Sequence, residues 1–510
     1  MADLDHDLRT SAGALSCANT QTGPVQGEAY PGFIRFLGVP YAAPPVGALR
    51  FAAPAAHPSW EAPLIANRKG VAAPQIEASA EETAKLLPGI DLKPLIGGEL
   101  VFDDDYLVAN IWTPRLDGAA PVMVFIHGGG FTGGTASADV YDGAAFAKQG
   151  VVCVTVNYRL GVEGFVPIDG APTNLGLRDQ LFALKWVQDN IAAFGGDGAN
   201  VTVFGESAGA MSIANLVASP LTKGLMKRAI IESGHGNMVR PIHVAQRLTK
   251  RLAKILKITP DLAGFRSATI QACLSALKQV SAPNSGLDLR NDDGREPAFG
   301  LSRFLPVYGD DVLPEHPLAA LQNGVGADIQ VLIGTNRDEM NLYFVHAGKR
   351  IGKFVANMAI KKAEPKGGEV LKAYGINERG KAPNLVFTQA LTDLVFCLPA
   401  RRFAQAHRGR THFYEFTWES PVYESGLGAC HALELPFVFN TLATASGPHG
   451  LAGPNPPQEI ADRMNKMWAE FAKTGALPWP EYDAHTQLVG NPQTGAAARD
   501  RDMPAARLTP

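Results

Sequence analysis

Cysteine is scarce in this sequence. Five cysteines are spread over 510 residues, and no two of them form a CxxC pair. They are Cys17, Cys153, Cys273, Cys397 and Cys430. A disulfide framework and a cysteine-rich metal site are therefore not predicted, and a reducing compartment is the simplest interpretation.

The sequence also lacks an excess of charge and a long apolar run. The formal net charge is only -3 at pH 7 and no basic run occurs, which argues against a nucleic-acid partner. No uninterrupted apolar run reaches the roughly 18 residues of a membrane span. The opening residues, MADLDHDLRTSAGALS, are polar and contain acids, unlike a secretory signal. We therefore expect a cytoplasmic protein, although a chain from which a signal had been cleaved would show the same features.

Short Val- and Ile-rich runs, each ended by Gly, Asn or Ser, recur through the middle of the chain and predict buried strands. Helical segments such as residues 177–194 lie between them. This alternation predicts an α/β fold whose mostly parallel sheet has helices on both faces. The predicted strands are VMVFIH (122–127), VVCVTVNY (151–158), VTVFGES (201–207), RAIIESG (228–234), IQVLIGTN (329–336) and HFYEFTW (412–418).

The chain offers no boundary at which to divide it. No repeat and no clear linker occurs, so residues 1–510 are predicted to form a single domain. The first hundred residues are rich in proline and glycine and predict an irregular region with short strands and long loops. Residues 240–300 and 345–395 interrupt the strand rhythm, and we expect them to be insertions that cap one end of the sheet.

The stretch VTVFGESAGA (201–210) places Ser207 in a GxSxG pattern. The pattern alone is weak in a chain with 53 glycines, and Ser207 could be a simple turn serine. An apolar strand precedes it and a small-residue helix start follows, which is the strand-turn-helix context of a nucleophile elbow. Gly205 and Gly209 fit a turn too tight for side chains on either side of a strained serine.

A serine nucleophile needs amide donors for the oxyanion of its intermediate. The run FIHGGGFTGG (125–134) follows a predicted strand and allows backbone amides to approach a substrate oxygen closely. Gly129, Gly130 and the amide of Ala208 are the expected oxyanion hole, and Ala208 also lies at a positive helix end. The alternative is a flexible glycine loop without a role.

The acid and the base should follow the serine in that order. Asp338 and Glu339 come directly after a predicted strand, and spacing alone does not choose between them. His431 lies in GLGACHALELPFVF, which predicts a partly buried loop position, whereas most other downstream histidines have polar surroundings. The downstream histidines are His346, His407, His412, His431, His449 and His485.

With these motifs, the sequence resembles the type B carboxylesterase family, which includes cholinesterases and bacterial para-nitrobenzyl esterases. The matching motifs extend over most of the chain, so the resemblance is specific, and it implies an α/β-hydrolase fold. They are RFLGVPYAAPPVGALRF (35–51), DDDYLVANIWTP (103–114), HGGGF (127–131), NYRLGVEGF (157–165), NLGLRDQLFALKWVQDNIAAFGGD (174–197), VTVFGESAGA (201–210), GTNRDE (334–339), GACHALELPFVF (428–439) and WAEFAKTGALPWPEY (468–482).

The resemblance implies a role for each member of the expected triad. Ser207 matches the family's nucleophile, Glu339 its acid and His431 its base. Gly129, Gly130 and Ala208 match its oxyanion donors. No metal or organic cofactor is implied, and the expected partner is a small-molecule ester. The sequence gives no indication of the oligomeric state.

Two further polar residues match family positions near the triad. Glu206 resembles a carboxylate that stabilises the imidazolium, although a solvated glutamate fits as well. Ser233 resembles a hydroxyl behind the triad, although a turn serine fits nearly as well.

Three departures from the family pattern stand out. Tyr106 replaces a cysteine whose partner is also missing from VAAPQ (71–75), which agrees with a bacterial chain in a reducing compartment. Met340 stands where the family usually has glycine, and it could shift the loop that carries Glu339. His235 replaces a small residue, and it either lines the substrate pocket or is a hydrogen-bonded structural histidine.

The predicted function is hydrolysis of carboxylic esters through an acyl-enzyme. One alternative is a non-catalytic, cholinesterase-like adhesion protein, against which the intact triad argues. Lactonases, amidases and thioesterases use the same constellation and are not distinguished by it. We expect specificity to reside in Phe131, in the loop at 74–100 and in the two insertions, whose apolar residues favour an apolar or aromatic ester.

Overall fold

The Val- and Ile-rich runs of the chain form the centre of one large sheet. A computed structural model describes residues 13–77, 79–98, 100–346, 351–424, 426–483 and 485–509. The strands are β1 (Gly13–Asn19), β2 (Pro24–Tyr30), β3 (Phe33–Pro40), β4 (Leu64–Ile65), β5 (Val71–Ala72), β6 (Val101–Phe102), β7 (Val108–Thr113), β8 (Ala120–Ile126), β9 (Val152–Val156), β10 (Gly196–Glu206), β11 (Arg228–Glu232), β12 (Arg240–Pro241), β13 (Val307–Tyr308), β14 (Gln330–Asn336), β15 (Thr411–Phe416), β16 (Leu488–Gly490) and β17 (Ala497–Arg499).

The main sheet is parallel at its centre and antiparallel at its N-terminal side. Within the described residues its order is β1-β2-β3-β7-β9-β8-β10-β11-β14-β15-β16-β17, with β4 paired to β2. The pairs from β9 to β16 are parallel, and the β1–β2, β2–β3, β3–β7, β7–β9 and β16–β17 pairs are antiparallel. The central strands are buried on both faces, which explains their unbroken apolar character.

The N-terminal region is more regular than its proline and glycine content predicted. Strands β1, β2 and β3 are seven or eight residues long and extend the main sheet. Pro24 begins β2 and Pro40 ends β3, so these prolines lie at strand ends, where a missing N–H disturbs the sheet least.

Helices cover the sheet, and helices also make up much of the segments at 240–300 and 345–395. They are α1 (Ala80–Leu86), α2 (Lys93–Ile96), α3 (Ala144–Lys148), α4 (Gly161–Phe165), α5 (Leu175–Asn190), α6 (Ala208–Val217), α7 (Ile242–Leu256), α8 (Leu262–Ser267), α9 (Ile270–Ser281), α10 (Pro317–Gln322), α11 (Asn341–Phe344), α12 (Lys353–Ala363), α13 (Gly367–Ala373), α14 (Pro383–Thr392), α15 (Leu398–Ala406), α16 (Leu435–Val438), α17 (Leu442–Ala445) and α18 (Gln458–Thr474). A π-helical turn, Asp393–Cys397, joins α14 to α15.

Two apolar cores lie against the sheet. One contains Val124 and Val203 with residues of α5 and α6, and the other contains Phe125 and Phe204 with residues of α18. Neighbouring residues of one strand thus belong to opposite cores, as the alternation of side chains along a strand requires. The fold is that of an α/β protein with helices on both sides of its sheet. No helix among the described residues is both long enough and apolar enough to cross a bilayer.

Candidate active site

Ser207 lies at a sharp turn between strand and helix. Strand β10 ends at Glu206 and α6 begins at Ala208. Between them, Ser207 has φ 55° and ψ -122°, a backbone conformation that residues other than glycine rarely adopt. Such strain persists only where the surrounding structure enforces it, and it is common at functional sites.

The two glycines of GxSxG allow this turn to pack against β8. A Cβ atom added to Gly209 would lie 1.9 Å from the carbonyl oxygen of Ile126, and one added to Gly205 would lie 2.4 Å from the same atom. Both distances are far below any van der Waals contact. The pattern is therefore explained by close approach of two backbones.

Glu339 and His431 are in direct contact. The Glu339 Oε2 atom lies 2.6 Å from His431 Nδ1, and Glu339 Oε1 accepts a hydrogen bond from the Asn336 N–H at 2.8 Å. Asp338 faces elsewhere, since its carboxylate accepts from the Ala429 N–H. Of the two adjacent acids that the sequence left open, only Glu339 contacts the imidazole.

Met340 does not displace the loop that carries Glu339. Its φ of -77° and ψ of -4° are right-handed helical values that any residue adopts, so no glycine is required there. Its N–H donates to Thr392 Oγ1 at 3.1 Å, and its side chain is buried in the core. Thr392, which no sequence motif indicates, thus helps to hold this loop in place.

The other downstream histidines are exposed or contact groups other than Glu339, and His449 lines the same cavity as His431. His346 and His485 are exposed, and His407 bonds to Thr411 and to a backbone carbonyl. His412 packs edge-on against an aromatic ring, and His449 contacts the carbonyl of Gly89.

Glu206 and Ser233 are both buried, but only Glu206 contacts His431 directly. Glu206 is 3% exposed, so it is not a solvated glutamate, and its Oε1 lies 3.0 Å from His431 Nε2. Ser233 has φ 54° and its Oγ lies 3.5 Å from Glu434 Oε1. Glu434 in turn bonds to the side chain of Asn336. A carboxylate inside the apolar run HALELPFVF was the available sequence signal for Glu434.

The carboxylates control the charge of the imidazole. Burial by itself lowers the pKa of His431, but Glu206 and Glu339 outweigh burial and raise that pKa to about 9. Burial raises the pKa of Glu206, with His431 opposing the rise and Glu339 adding to it. Burial, Glu206 and Glu339 together raise the pKa of Glu434. The contacts with Glu206 and Glu339 therefore favour the imidazolium form of His431.

Aromatic rings enclose the imidazole. The ring centroids of Phe396 and Tyr343 lie 4.8 Å and 5.8 Å from that of His431. Phe396 belongs to the π-helical turn, and π turns are frequent at functional sites. Neither ring was identified from the sequence, because contacts across the fold leave no local pattern.

The glycine run follows β8 and lies beside Ser207. Gly129 and Gly130 have φ values of +109° and +62°, and Phe131 follows with +64°. A Cβ atom on Gly129 would lie 2.1 Å from the Gly133 carbonyl oxygen, so this loop turns too tightly for any other residue. Ala208 opens helix α6, where backbone N–H groups are free of intrahelical partners.

One cavity of about 870 Å³ brings these groups together. Ser207, Ala208, His431 and the glycine run line it, and Phe131 does so as expected for a pocket residue. Its apolar lining comes from residues far apart in the chain. These include Ile90, Leu92, Leu95, Met211, Met238, Leu277, Leu301, Leu305, Leu342, Phe396, Leu435 and Leu451.

Two groups of residues that were expected to line the pocket, His235 and the described residues of 345–395, do not line the cavity. His235 is absent from the lining, because its Nε2 bonds to the Val395 carbonyl at 2.7 Å and its Nδ1 accepts from the Asn237 N–H. Burial lowers the pKa of His235 to about 4, in keeping with the structural alternative. No described residue of 345–395 lines the cavity either, because α12, α13 and α14 pack on one another and on the π turn behind Phe396.

Comparison with known proteins gives consistent matches over most of the chain. The model of the carboxylesterase family matches residues 15–500. A para-nitrobenzyl esterase of Bacillus subtilis (strain 168) is 36% identical over 92% of this chain and 93% of its own. A phenmedipham hydrolase of Pseudarthrobacter oxydans is 32% identical over 96% and 97%. A solved PNB esterase structure superposes with a TM-score of 0.80 at 34% identity, covering 95% of this chain and 96% of that one.

Proposed function

The chain belongs to the carboxylesterase family and is a carboxylic ester hydrolase, and from this premise we propose that it works through an acyl-enzyme formed on Ser207. The observation that carries the proposal is the 2.6 Å contact between Glu339 and His431 beside a serine in strained geometry. A weakly acidic hydroxyl needs such a base, and the base needs an orienting acid.

In the first step, Ser207 Oγ attacks the ester carbonyl carbon and its proton passes to His431 Nε2. A C–O bond forms and the carbonyl oxygen becomes an oxyanion. The N–H groups of Gly129, Gly130 and Ala208 are proposed to donate to that oxygen. Each well-placed donor contributes about 3 kcal/mol to the stability of such a transition state.

In the second half of the reaction, His431 returns its proton to the leaving alkoxide as the original ester C–O bond breaks. Water then enters, loses a proton to His431 and attacks the acyl carbon. Collapse of the second tetrahedral intermediate breaks the bond to Ser207 Oγ and releases the acid. The proton on His431 returns to Ser207, so the enzyme is regenerated.

Glu339 and Glu206 divide the stabilisation of the imidazolium between its two nitrogens. Glu339 holds Nδ1, which in the proposed mechanism leaves Nε2 as the nitrogen that takes the proton of Ser207. Glu206 lies 3.0 Å from Nε2, where positive charge develops as the serine proton arrives. Its proposed role is to stabilise that charge.

The proposed substrates are esters with apolar or aromatic groups. The cavity volume is within the usual range for small-molecule sites, and leucine, methionine and phenylalanine side chains supply much of its wall. A relative at 36% identity is a para-nitrobenzyl esterase, which supports an aromatic alcohol as a probe.

Replacing the nucleophile tests the mechanism. Ser207→Ala should lower kcat for para-nitrophenyl acetate by a factor of about 10⁴ or more, since the hydroxyl that forms the covalent bond is gone. Initial rates and the melting temperature should be measured together. Ser267→Ala is the control, because Ser267 bonds to the Gly264 carbonyl outside the cavity and should keep full activity. Turnover retained by Ser207→Ala would refute the assignment.

Labelling separates a catalyst from a binding protein of the same fold. An organophosphate should modify one serine of the intact protein, and peptide mass analysis should locate the adduct at Ser207. Ser207→Ala should remain unlabelled. An unmodified wild-type protein would favour the non-catalytic alternative.

Rates over a matched ester panel test the substrate class. We expect kcat/KM to rise from acetate to hexanoate esters of para-nitrophenol, and para-nitrobenzyl esters to exceed esters with charged alcohols. A preference for charged esters would contradict the proposal while leaving the role of Ser207 intact.

A further inference from the structure

A serine from a distant part of the chain contacts the glycine run. Ser302 lies in the loop between α9 and β13, 172 residues from Gly130 in sequence, and it lines the same cavity as Ser207. Its Oγ lies 2.7 Å from the carbonyl oxygen of Gly130. A serine hydroxyl therefore joins this loop directly to the backbone next to the proposed oxyanion donors.

The local hydrogen bonds direct the single hydroxyl proton of Ser302 toward Gly130. The Phe304 N–H donates to Ser302 Oγ at 3.1 Å, so the oxygen already serves as an acceptor. Two carbonyl oxygens are within reach of its proton, that of Gly130 at 2.7 Å and that of Phe304 at 3.0 Å. The shorter contact, to Gly130, is the favoured one.

The Gly130 carbonyl is a point at which the loop needs external support. Gly129, Gly130 and Phe131 have consecutive positive φ values, and two of the three have no side chain to restrain them. The Phe131 carbonyl accepts from the Gly161 N–H at 2.7 Å, and the side chain of Gln75 holds both the N–H and the carbonyl of Gly134. The Gly129 carbonyl, which shares a peptide group with the Gly130 N–H, accepts from the N–H groups of Thr132 and Gly133 inside the loop. Ser302 holds the next peptide group from outside the loop, through the Gly130 carbonyl.

We propose that Ser302 is a positioning residue whose hydroxyl orients the Gly129 and Gly130 amides for the oxyanion. The inference rests on the proposed function, since it presumes that these amides bind the oxyanion. Leu301 and Leu305 of the same loop line the cavity. The loop therefore forms part of the cavity wall and, through Ser302, holds the oxyanion hole in place.

Removing the hydroxyl should slow the chemical step and leave substrate binding almost unchanged. We expect Ser302→Ala to lower kcat by roughly tenfold with little change in KM, because loss of a whole oxyanion donor costs about 10²–10³. The loss should be equal for acetate and hexanoate esters. Ser302→Thr, which keeps the hydroxyl, should recover most of the lost rate. Ser267→Ala, which removes a serine-to-glycine carbonyl bond of the same 2.7 Å length outside the cavity, should match wild type.

Affinity for a transition-state analogue gives a readout that a purely structural role would not change. An aryl trifluoromethyl ketone forms a hemiketal oxyanion on the nucleophilic serine, so its Ki should rise in Ser302→Ala by the same factor as kcat/KM falls. The melting temperature shows that the variants are folded. An unchanged kcat and Ki, or a loss that varies with acyl length, would overturn the proposal. If Ser207→Ala remained active, the proposed function itself would fail instead.

Discussion

At the scale of single residues, the proposed mechanism makes the charge on His431 the factor that sets the pH range of the reaction. The imidazole acts as a base only when it is neutral. The carboxylates of Glu206 and Glu339 overcome burial and raise the pKa of His431 to about 9. Below that pH the ring carries a proton, so the rate should increase with pH through this pKa. In the proposed mechanism the same carboxylates also stabilise the imidazolium of the transition state, so they raise the pKa of His431 and favour the proton transfer.

Replacing Glu206 should therefore move the acid limb of the pH profile. Glu206→Gln removes a negative charge 3.0 Å from Nε2, which lowers the pKa of His431. The acid limb of kcat/KM should shift downward by roughly 1 to 3 pH units. The plateau rate should also fall, because the imidazolium loses its partner. Profiles from pH 5 to 10 measure both effects.

The neighbouring Asp338 supplies the control for that experiment. Its carboxylate accepts from the Ala429 N–H and is paired with Arg337, so it does not face the imidazole. Asp338→Asn should leave the acid limb close to its wild-type position. An unshifted limb in Glu206→Gln would show that Glu206 does not control the charge of His431.

At the scale of elements, the adjacent parallel strands bring the residues of the candidate site to one edge of the sheet. Strand β8 leads into the glycine run, β10 into Ser207, β11 into Ser233 and β14 into Glu339. These strands are adjacent in the sheet, in the order β8-β10-β11-β14. Because parallel strands end at the same edge of the sheet, residues far apart in the sequence are brought to one side of it.

The contact between β8 and the turn after β10 should be intolerant of any side chain. Gly209→Ala places a Cβ atom 1.9 Å from the Ile126 carbonyl oxygen, and backbone must shift to relieve the overlap. We expect a loss of about 3 kcal/mol in stability, seen as a lower melting temperature and lower soluble yield. Gly352→Ala is the matched control, because open space surrounds that glycine and its φ is negative. Equal melting temperatures for the two variants would contradict the packing argument.

At the scale of the whole molecule, the C-terminal residues help to hold the site. Arg501 bonds to Asp393 at the start of the π-helical turn and to Glu415 on β15. Asp393 is fully buried and also accepts from the hydroxyl of Tyr374. The turn that follows carries Phe396 against His431. Arg501 is thus connected to His431 through the ion pair with Asp393, the π-helical turn and the ring contact of Phe396.

Breaking this network should destabilise the protein. Arg501→Ala leaves the buried carboxylate of Asp393 without its cationic partner, which costs roughly 3 kcal/mol. The melting temperature should fall, and kcat should fall with it if the π turn loosens around Phe396. Arg499→Ala, at an exposed position of β17, should have little effect. A melting temperature unchanged in Arg501→Ala would show that the network is dispensable.

Much of the fold and part of the site could be predicted from local sequence. The buried strands were predicted from apolar runs. The turn at Ser207 was predicted from the strand before it, its two glycines and the helix start after it. The choice between Asp338 and Glu339 could not be predicted from spacing, because adjacent side chains differ only in the direction they take. The contacts of Thr392 and Ser302 could not be predicted from the sequence, because each is a hydrogen bond to a distant backbone group.

The sequence by itself determined the strand-helix alternation and the tight turn around Ser207, because these depend on residue types that are close together. The resemblance favoured Glu339 over Asp338, and the tertiary structure placed it against His431. Only the tertiary structure decided that His235 is buried away from the cavity and that Ser302 reaches Gly130. These contacts depend on which distant segments of backbone lie next to each residue, and the order of strands in the sheet sets those neighbours.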